Sequence, residues 1–156
     1  MKEPTMLNRI IRVLVVGVLA ASALPAYAKT VTVEGQNSLR FSVESITVQP
    51  GEEVTIELVN NTEMPPQAMS HNWVLLAAGA DADAFNAAAL GAKDNDYIPS
   101  DMADQALAHT AMIGGGESDT ITFTAPETPG DYTYLCTFPG HFSAGMKGTL
   151  TVASGG

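Results

Sequence analysis

The chain has 156 residues, a length that corresponds to a single domain. Its 7 basic and 17 acidic residues give a formal net charge of −10, which excludes nucleic acid and anionic lipid as natural partners. The single cysteine, Cys136, excludes any disulfide within the chain.

The first 28 residues have the pattern of a signal peptide. Lys2, Arg9 and Arg12 make the beginning basic, residues 10–24 form an apolar run, and Ala26-Tyr27-Ala28 is a small-residue cleavage motif. The alternative is an uncleaved membrane anchor, but the run is shorter than the about 20 residues that cross a bilayer. We therefore expect cleavage after Ala28 and export to the periplasm or another extracytoplasmic compartment. Loss of the three basic residues and Glu3 leaves a domain over residues 29–156 with 4 basic and 16 acidic residues, a net charge of −12.

The first half of this domain alternates apolar and polar residues with the period of β-strands. Strands are predicted at Thr30–Glu34, Leu39–Val43, Ile46–Val48 and Glu53–Leu58. Pro50-Gly51 predicts a turn before the fourth strand. Met64-Pro65-Pro66 predicts an extended loop, because each proline restricts the residue before it.

The second half adds a helical insertion and more strands. Residues 71–77 predict a buried strand, residues 81–90 a short helix, and residues 102–107 one helical turn within an acidic segment. Further strands are predicted at Asp119–Thr124, Asp131–Cys136 and Lys147–Ala153. Together these elements predict an all-β fold, an antiparallel Greek-key β-sandwich of seven or eight strands with a small helical and acidic flap at about residues 81–113.

A short segment near the C-terminus carries three potential metal ligands. Cys136 is followed by His141 and then by Met146. Thiolate, imidazole and thioether are the ligands of blue-copper sites. Pro139-Gly140 and Gly145 predict two tight reversals, which would bring the three side chains together. The alternatives are a buried structural thiol, a structural or exposed histidine and a methionine that fills the core.

A blue-copper site also needs a second histidine, and the chain offers two candidates. His71 lies at the start of a predicted buried strand, and a sandwich could place that strand beside the strand of Cys136. His109 lies in the acidic segment. The residues by themselves leave both candidates open.

Six segments of the chain occur in the order found in one known family. They are Met69–Leu75, Asp94–Tyr97, Ala108–Thr110, Ile113–Glu117, Cys136–His141 and Met146–Leu150. On these segments the chain resembles the azurin and auracyanin group of cupredoxins. It differs from azurins in lacking their N-terminal disulfide. The four residues between His141 and Met146 are similar to the auracyanin or plastocyanin spacing.

The resemblance implies the remaining parts of a type 1 copper site. It makes His71 the first ligand and His109 a surface residue. Asn72 is expected to hydrogen-bond across to Thr137, and the backbone N–H of Phe138 is expected to point at the sulfur of Cys136. Ser70 stands where azurins have a glycine whose carbonyl approaches the metal, so a weak carbonyl contact from Ser70 is the corresponding expectation.

An apolar surface around the edge of His141 is expected to be the contact point for redox partners. The residues expected to form it are Met69, Pro139, Gly140, Phe142 and Ala144. The alternative is that these residues only close the loop over the core.

We predict a monomeric, non-enzymatic type 1 copper protein that holds one copper ion. Four protein ligands leave no open position for a substrate, whereas catalytic metals keep one. Its function would be to shuttle one electron between partners such as c-type cytochromes or membrane redox complexes. The alternatives are a copper storage or delivery protein, one domain of a multicopper oxidase or nitrite reductase, and a metal-free adhesive sandwich.

Overall fold

The structure is a computed structural model that describes residues 28–154. Its strands are β1 (Ala28–Gly35), β2 (Ser45–Val48), β3 (Glu53–Asn60), β4 (Val74–Leu76), β5 (Ala106–His109), β6 (Ser118–Thr124), β7 (Gly130–Leu135) and β8 (Lys147–Val152). Two α-helices, α1 (Ala82–Ala89) and α2 (His141–Ala144), and two 3₁₀ turns, Lys93–Asn95 and Ser100–Gln105, complete it. Within the described residues, no helix has both the length and the apolar character needed to cross a membrane. The predicted signal peptide lies outside the described residues except for Ala28.

The strands form two sheets, with the orders β1-β3-β6 and β2-β8-β7-β4-β5. The predicted two-sheet sandwich of eight strands is therefore confirmed. The expectation that all strands would be antiparallel is wrong, because β1 pairs with β3 and β2 pairs with β8 in parallel. Since β1 and β2 join different sheets, the chain crosses between sheets rather than forming hairpins, and such crossovers permit parallel pairing.

Strand alternation builds the core between the sheets. In β3, Val54, Ile56 and Leu58 are fully buried, whereas the residues between them are half-buried. Their burial removes apolar surface from water, which is the main favourable contribution to folding. Trp73 and Tyr134 lie in the same core, with ring centroids 5.1 Å apart.

The flap forms a third layer on the five-stranded sheet. All of β4 is buried, because Leu75 faces the core between the sheets while Val74 and Leu76 belong to a second apolar cluster. Phe85 of α1 lies in that second cluster. The helix begins after Asp81, whose carboxylate caps it by accepting a hydrogen bond from the N–H of Ala84 at 3.0 Å. The predicted helix over residues 81–90 is therefore confirmed.

Two sequence predictions of local structure are wrong. Residues 39–43 do not form a strand; only Phe41 makes an isolated bridge, to Gly35, and Leu39 has a positive φ of 56°. Their alternation reflects Phe41, a loop residue that fills the core. Residues 106–109, expected to be helical or irregular, form the edge strand β5 beside β4. The strand has only four residues, and they alternate between half-buried and exposed. Because none of them is fully buried, the sequence shows no clear alternation of apolar and polar residues there.

We expect Phe85→Ala to lower the free energy of unfolding by about 3 kcal/mol, because a buried aromatic side chain is lost from the second cluster. Denaturant unfolding of the metal-free protein measures this change. Leu90→Ala is the matched control, since Leu90 follows the same helix and is 54 % exposed, and it should change stability by less than about 0.5 kcal/mol. Equal losses in the two variants would contradict a buried flap.

Candidate metal centre

Three potential ligands meet at one buried point. One donor atom each from His71, Cys136 and His141 lies within 4.8 Å of the others, and all three residues are buried. The sulfur of Cys136 is 3.9 Å from Nδ1 of His71 and 3.6 Å from Nδ1 of His141. Of the two histidines considered from the sequence, His71 joins this cluster, whereas His109 is exposed on β5.

The five-stranded sheet brings His71 to Cys136. Strand β4 pairs with β7, so the residues just before β4 lie beside those just after β7. The backbone of His71 is held in place by Ile113, with N–H···O hydrogen bonds of 3.0 Å and 2.9 Å in the two directions. Asn60 supports this bridge, since its side-chain amide donates to the carbonyls of Met69 and Ile113.

The loop after β7 returns His141 and Met146 to Cys136 through two glycines. Gly140 (φ 85°) and Gly145 (φ 106°) take the left-handed conformation that side chains disfavour, and α2 lies between them. The backbone N–H of Cys136 donates to the carbonyl of Met146 at 3.1 Å, and the N–H of Met146 donates to the carbonyl of His141 at 3.0 Å. The predicted reversals are present, whereas the helix between them was not predicted. Met146 is fully buried in the core that contains Cys136.

The side chain of Asn72 ties the two ligand segments together. Its nitrogen donates to Thr137 Oγ1 at 2.7 Å and to the carbonyl of Asp96 at 3.1 Å, while its oxygen accepts from the N–H of Thr137 at 2.8 Å. These are the cross-loop hydrogen bonds expected from the family resemblance. Ser70, the residue before His71, donates through its hydroxyl to the carbonyl of Pro66 at 2.7 Å.

Burial sets the protonation of the three donors. It lowers the pKa of His71 to about 4, with a further contribution from the nearby His141, and it lowers the pKa of His141 to about 4. Burial raises the pKa of the Cys136 thiol to about 12, although hydrogen bonds from the backbone N–H groups of Asn72 and Phe138 act in the opposite direction. Both imidazoles are therefore neutral at pH 7 and able to coordinate, and a metal must displace the thiol proton.

The residues expected around His141 do not form one exposed surface. Pro139, Gly140 and Ala144 are exposed. Met69 and Phe142 are only 8 % and 6 % exposed. Phe142 packs into the second cluster, so it stabilises the loop from inside, as the alternative interpretation of this group proposed.

Three contacts to the ligand loop were not predicted. The Phe138 ring packs against the ring of His141, with centroids 4.6 Å apart. A guanidinium nitrogen of Arg40 donates to the carbonyl of Ala144. The Lys147 ammonium lies 5.2 Å from the Phe142 ring centroid. No local pattern could have placed Arg40 here, because it belongs to the distant loop between β1 and β2.

The donors suit copper. One thiol and two neutral imidazoles are soft or borderline ligands, and no carboxylate belongs to this cluster among residues 28–154. Such a set favours copper or zinc over magnesium or calcium, and copper binds more tightly than zinc in the divalent series.

We expect the metal-free protein to lose stability as the pH falls from about 6.5 to about 4. Between these values the unfolded chain binds protons at His71 and His141 that the folded protein excludes, so the stability present above pH 6.5 is lost as the pH approaches the folded pKa. The loss should be on the order of 3 kcal/mol per histidine. Urea unfolding at several pH values measures it. His71→Gln should reduce the slope and His109→Gln should retain it; a flat profile would contradict the buried neutral imidazoles.

Comparison with known proteins agrees with the donor set. Residues 28–153 match the family described as copper binding proteins of the plastocyanin/azurin family. Auracyanin-B of Chloroflexus aurantiacus is 44% identical over 127 residues, which are 80% of this chain and 52% of that protein. The chain thus spans about half the length of Auracyanin-B. Azurin of Pseudomonas aeruginosa is 35% identical over 150 residues, which are 94% of this chain and 99% of that protein.

A solved structure supports the same assignment. The dithionite-reduced auracyanin of Roseiflexus castenholzii superposes with a TM-score of 0.72 at 36% identity, covering 80% of this chain and 97% of that one. The fold is thus cupredoxin-like, and the relatives are electron carriers rather than enzymes. The chain belongs to the plastocyanin/azurin family of blue copper proteins, with His71, Cys136, His141 and Met146 forming its type 1 copper site.

Proposed function

We propose that this protein carries one electron at a time between redox partners outside the cytoplasm. The convergence of Cys136 Sγ with Nδ1 of His71 and of His141 inside a closed, buried site is the observation that supports this function most strongly. Copper held there supplies one-electron redox chemistry, and the burial of all three ligands leaves no approach for a substrate.

The remaining roles follow from positions beside these three donors. Met146 would be the fourth, weak ligand of the copper ion, which its burial and its backbone hydrogen bonds to the Cys136–His141 loop support. The Ser70 carbonyl is the candidate for a further weak contact, because it directly precedes His71. Asn72, Thr137 and Phe138 hold the cysteine and orient it through the hydrogen bonds described above.

Electrons leave through the edge of His141. Its side chain is 4 % exposed, and the exposed neighbours Pro139, Gly140 and Ala144 bear no charge. In a domain with a net charge of −12, residues 64–80 and 137–146 contain no Asp, Glu, Lys or Arg. A contact surface built mainly from uncharged residues suits short encounters with a c-type cytochrome or a membrane redox complex, because it limits long-range repulsion.

Copper storage or delivery is the second candidate function, because it would use the same ligands. The burial of the three donors disfavours it, since a delivery site has to exchange its metal with a partner. Rapid loss of copper to a chelator would favour delivery, whereas retention over hours with fast oxidation and reduction would favour electron transfer.

We expect Cu(II) to give the purified metal-free protein an intense blue colour that a reductant bleaches. Charge transfer from the Cys136 sulfur to copper would produce it, so Cys136→Ser should be colourless. His109→Gln is the control and should remain blue, because His109 is exposed and does not belong to the donor cluster. Visible absorption measures all three proteins. A colourless wild type, or full colour in Cys136→Ser, would reject the assignment.

We expect Ala144→Lys to slow electron self-exchange by about tenfold while leaving the visible spectrum unchanged, because two lysines would repel each other when the exposed loops of two molecules meet. NMR line broadening in mixtures of the two oxidation states measures the rate. Leu90→Lys adds the same charge at an exposed flap position and should change the rate much less. Similar slowing in both variants would mean that net charge, not this surface, controls exchange. Phe142 is unsuitable for the test, since a charge there would disturb the core.

A further inference from the structure

Gly35, the last residue of β1, lies against the ligand His71. It is buried, is paired with Asn60 of β3 and forms a bridge with Phe41. Its φ lies outside the left-handed region, so its backbone conformation does not require glycine. The reason for glycine at this position must therefore be the space that a side chain would occupy.

That space is already filled by the His71 ring. A Cβ atom on Gly35 would lie 2.3 Å from Cδ2 of His71, 2.7 Å from its Cγ and 3.1 Å from its Nε2. Distances below 3.0 Å are far inside van der Waals contact, so either the ring or β1 would have to shift. The three nearest atoms all belong to the ring, and Nδ1, which faces the thiol, is not among them.

The ring has little freedom to move away. Two hydrogen bonds to Ile113 fix the backbone of His71, and its side chain is fully buried. On its other sides the ring meets the ring of His141, with centroids 5.0 Å apart, and the sulfur of Cys136. A side chain at position 35 would therefore displace the imidazole within the metal site.

We propose that Gly35 is a positioning residue of the copper centre. By lacking a side chain, it allows the His71 ring to pack directly against β1 with Nδ1 turned toward Cys136. This role rests on His71 being a copper ligand, as proposed above. We therefore expect that a single methyl group added at position 35 changes the copper site, although all of the ligand residues remain the same.

Gly148, which pairs with Tyr134 on β7, provides a matched control whose collision is with a residue that is not a ligand. A Cβ atom on Gly148 would lie 2.3 Å from both Cζ and Oη of Tyr134, the same distance as that between a Gly35 Cβ and the His71 ring. Tyr134 is a core residue and does not belong to the donor cluster. Gly35→Ala and Gly148→Ala thus create similar collisions, one with a ligand and one with a residue that is not a ligand.

A double-mutant cycle in the metal-free protein tests the contact independently of copper. Gly35→Ala should destabilise the wild type and should cost much less when His71→Ala has removed the ring. If Gly35→Ala alone does not fold, recovery of folding in the double variant supports the same conclusion. An equal cost in both backgrounds, or a double variant that remains unfolded while His71→Ala alone folds, would overturn the proposal.

Copper binding tests the functional consequence. Gly35→Ala should weaken copper affinity about 10–100-fold, in the range seen when groups that orient metal ligands are changed, and should shift the visible absorption bands. Gly148→Ala should lower stability but retain the wild-type bands. Wild-type affinity and bands in folded Gly35→Ala would overturn the proposal. A wild-type protein without blue colour would instead reject the proposed function. The double-mutant cycle in the metal-free protein would still test the contact between Gly35 and His71.

Discussion

The side chain of Asn72 joins the two segments on which the ligand arrangement depends. Asn72 follows His71 and Thr137 follows Cys136, so the two hydrogen bonds between Asn72 and Thr137 set the separation of two ligands directly. A third hydrogen bond, to the carbonyl of Asp96, connects the flap to the same point. Asn72 and Thr137 are fully buried, and loss of one partner would leave an unsatisfied polar group that costs about 1–3 kcal/mol. These hydrogen bonds therefore persist only while both segments keep their positions.

The ligand loop is also part of both apolar clusters. Met146 packs with Cys136 in the core between the sheets, whereas Phe142 packs beneath the flap. His141 lies between Cys136 and Phe142 in sequence, so residues packed in two different layers hold it in place. Movement of the loop would disturb both layers, and close-packed cores resist such changes. A copper ion held by such a loop would change little in geometry with its oxidation state, which would keep the barrier to electron transfer low.

The sequence predicted those parts of the site that depend on local chain geometry. Cys136 and His141 could be linked because their loop contains its own turn residues. The position of His71 required the family resemblance, since only the pairing of β4 with β7 brings it close. The neighbouring His141 predicts an exposed surface position for Phe142, but the helix between the two glycines turns the Phe142 ring inward. Residues 39–43 alternate like a strand, yet a buried loop residue produces the same pattern.

The distribution of charge matches the chemistry of a site that has to be reduced as well as oxidised. The oxidised copper centre has one more positive charge than the reduced one, so nearby carboxylates would favour oxidation. Residues 64–80 and 137–146 contain no charged side chain of the Asp, Glu, Lys or Arg type, although the domain carries 16 acidic residues. Two cations contact the loop: Lys147 lies over the Phe142 ring, and Arg40 binds the carbonyl of Ala144, with Glu44 3.9 Å from its Nε. The protein can therefore be strongly acidic overall although the two segments around its copper ligands contain no carboxylate.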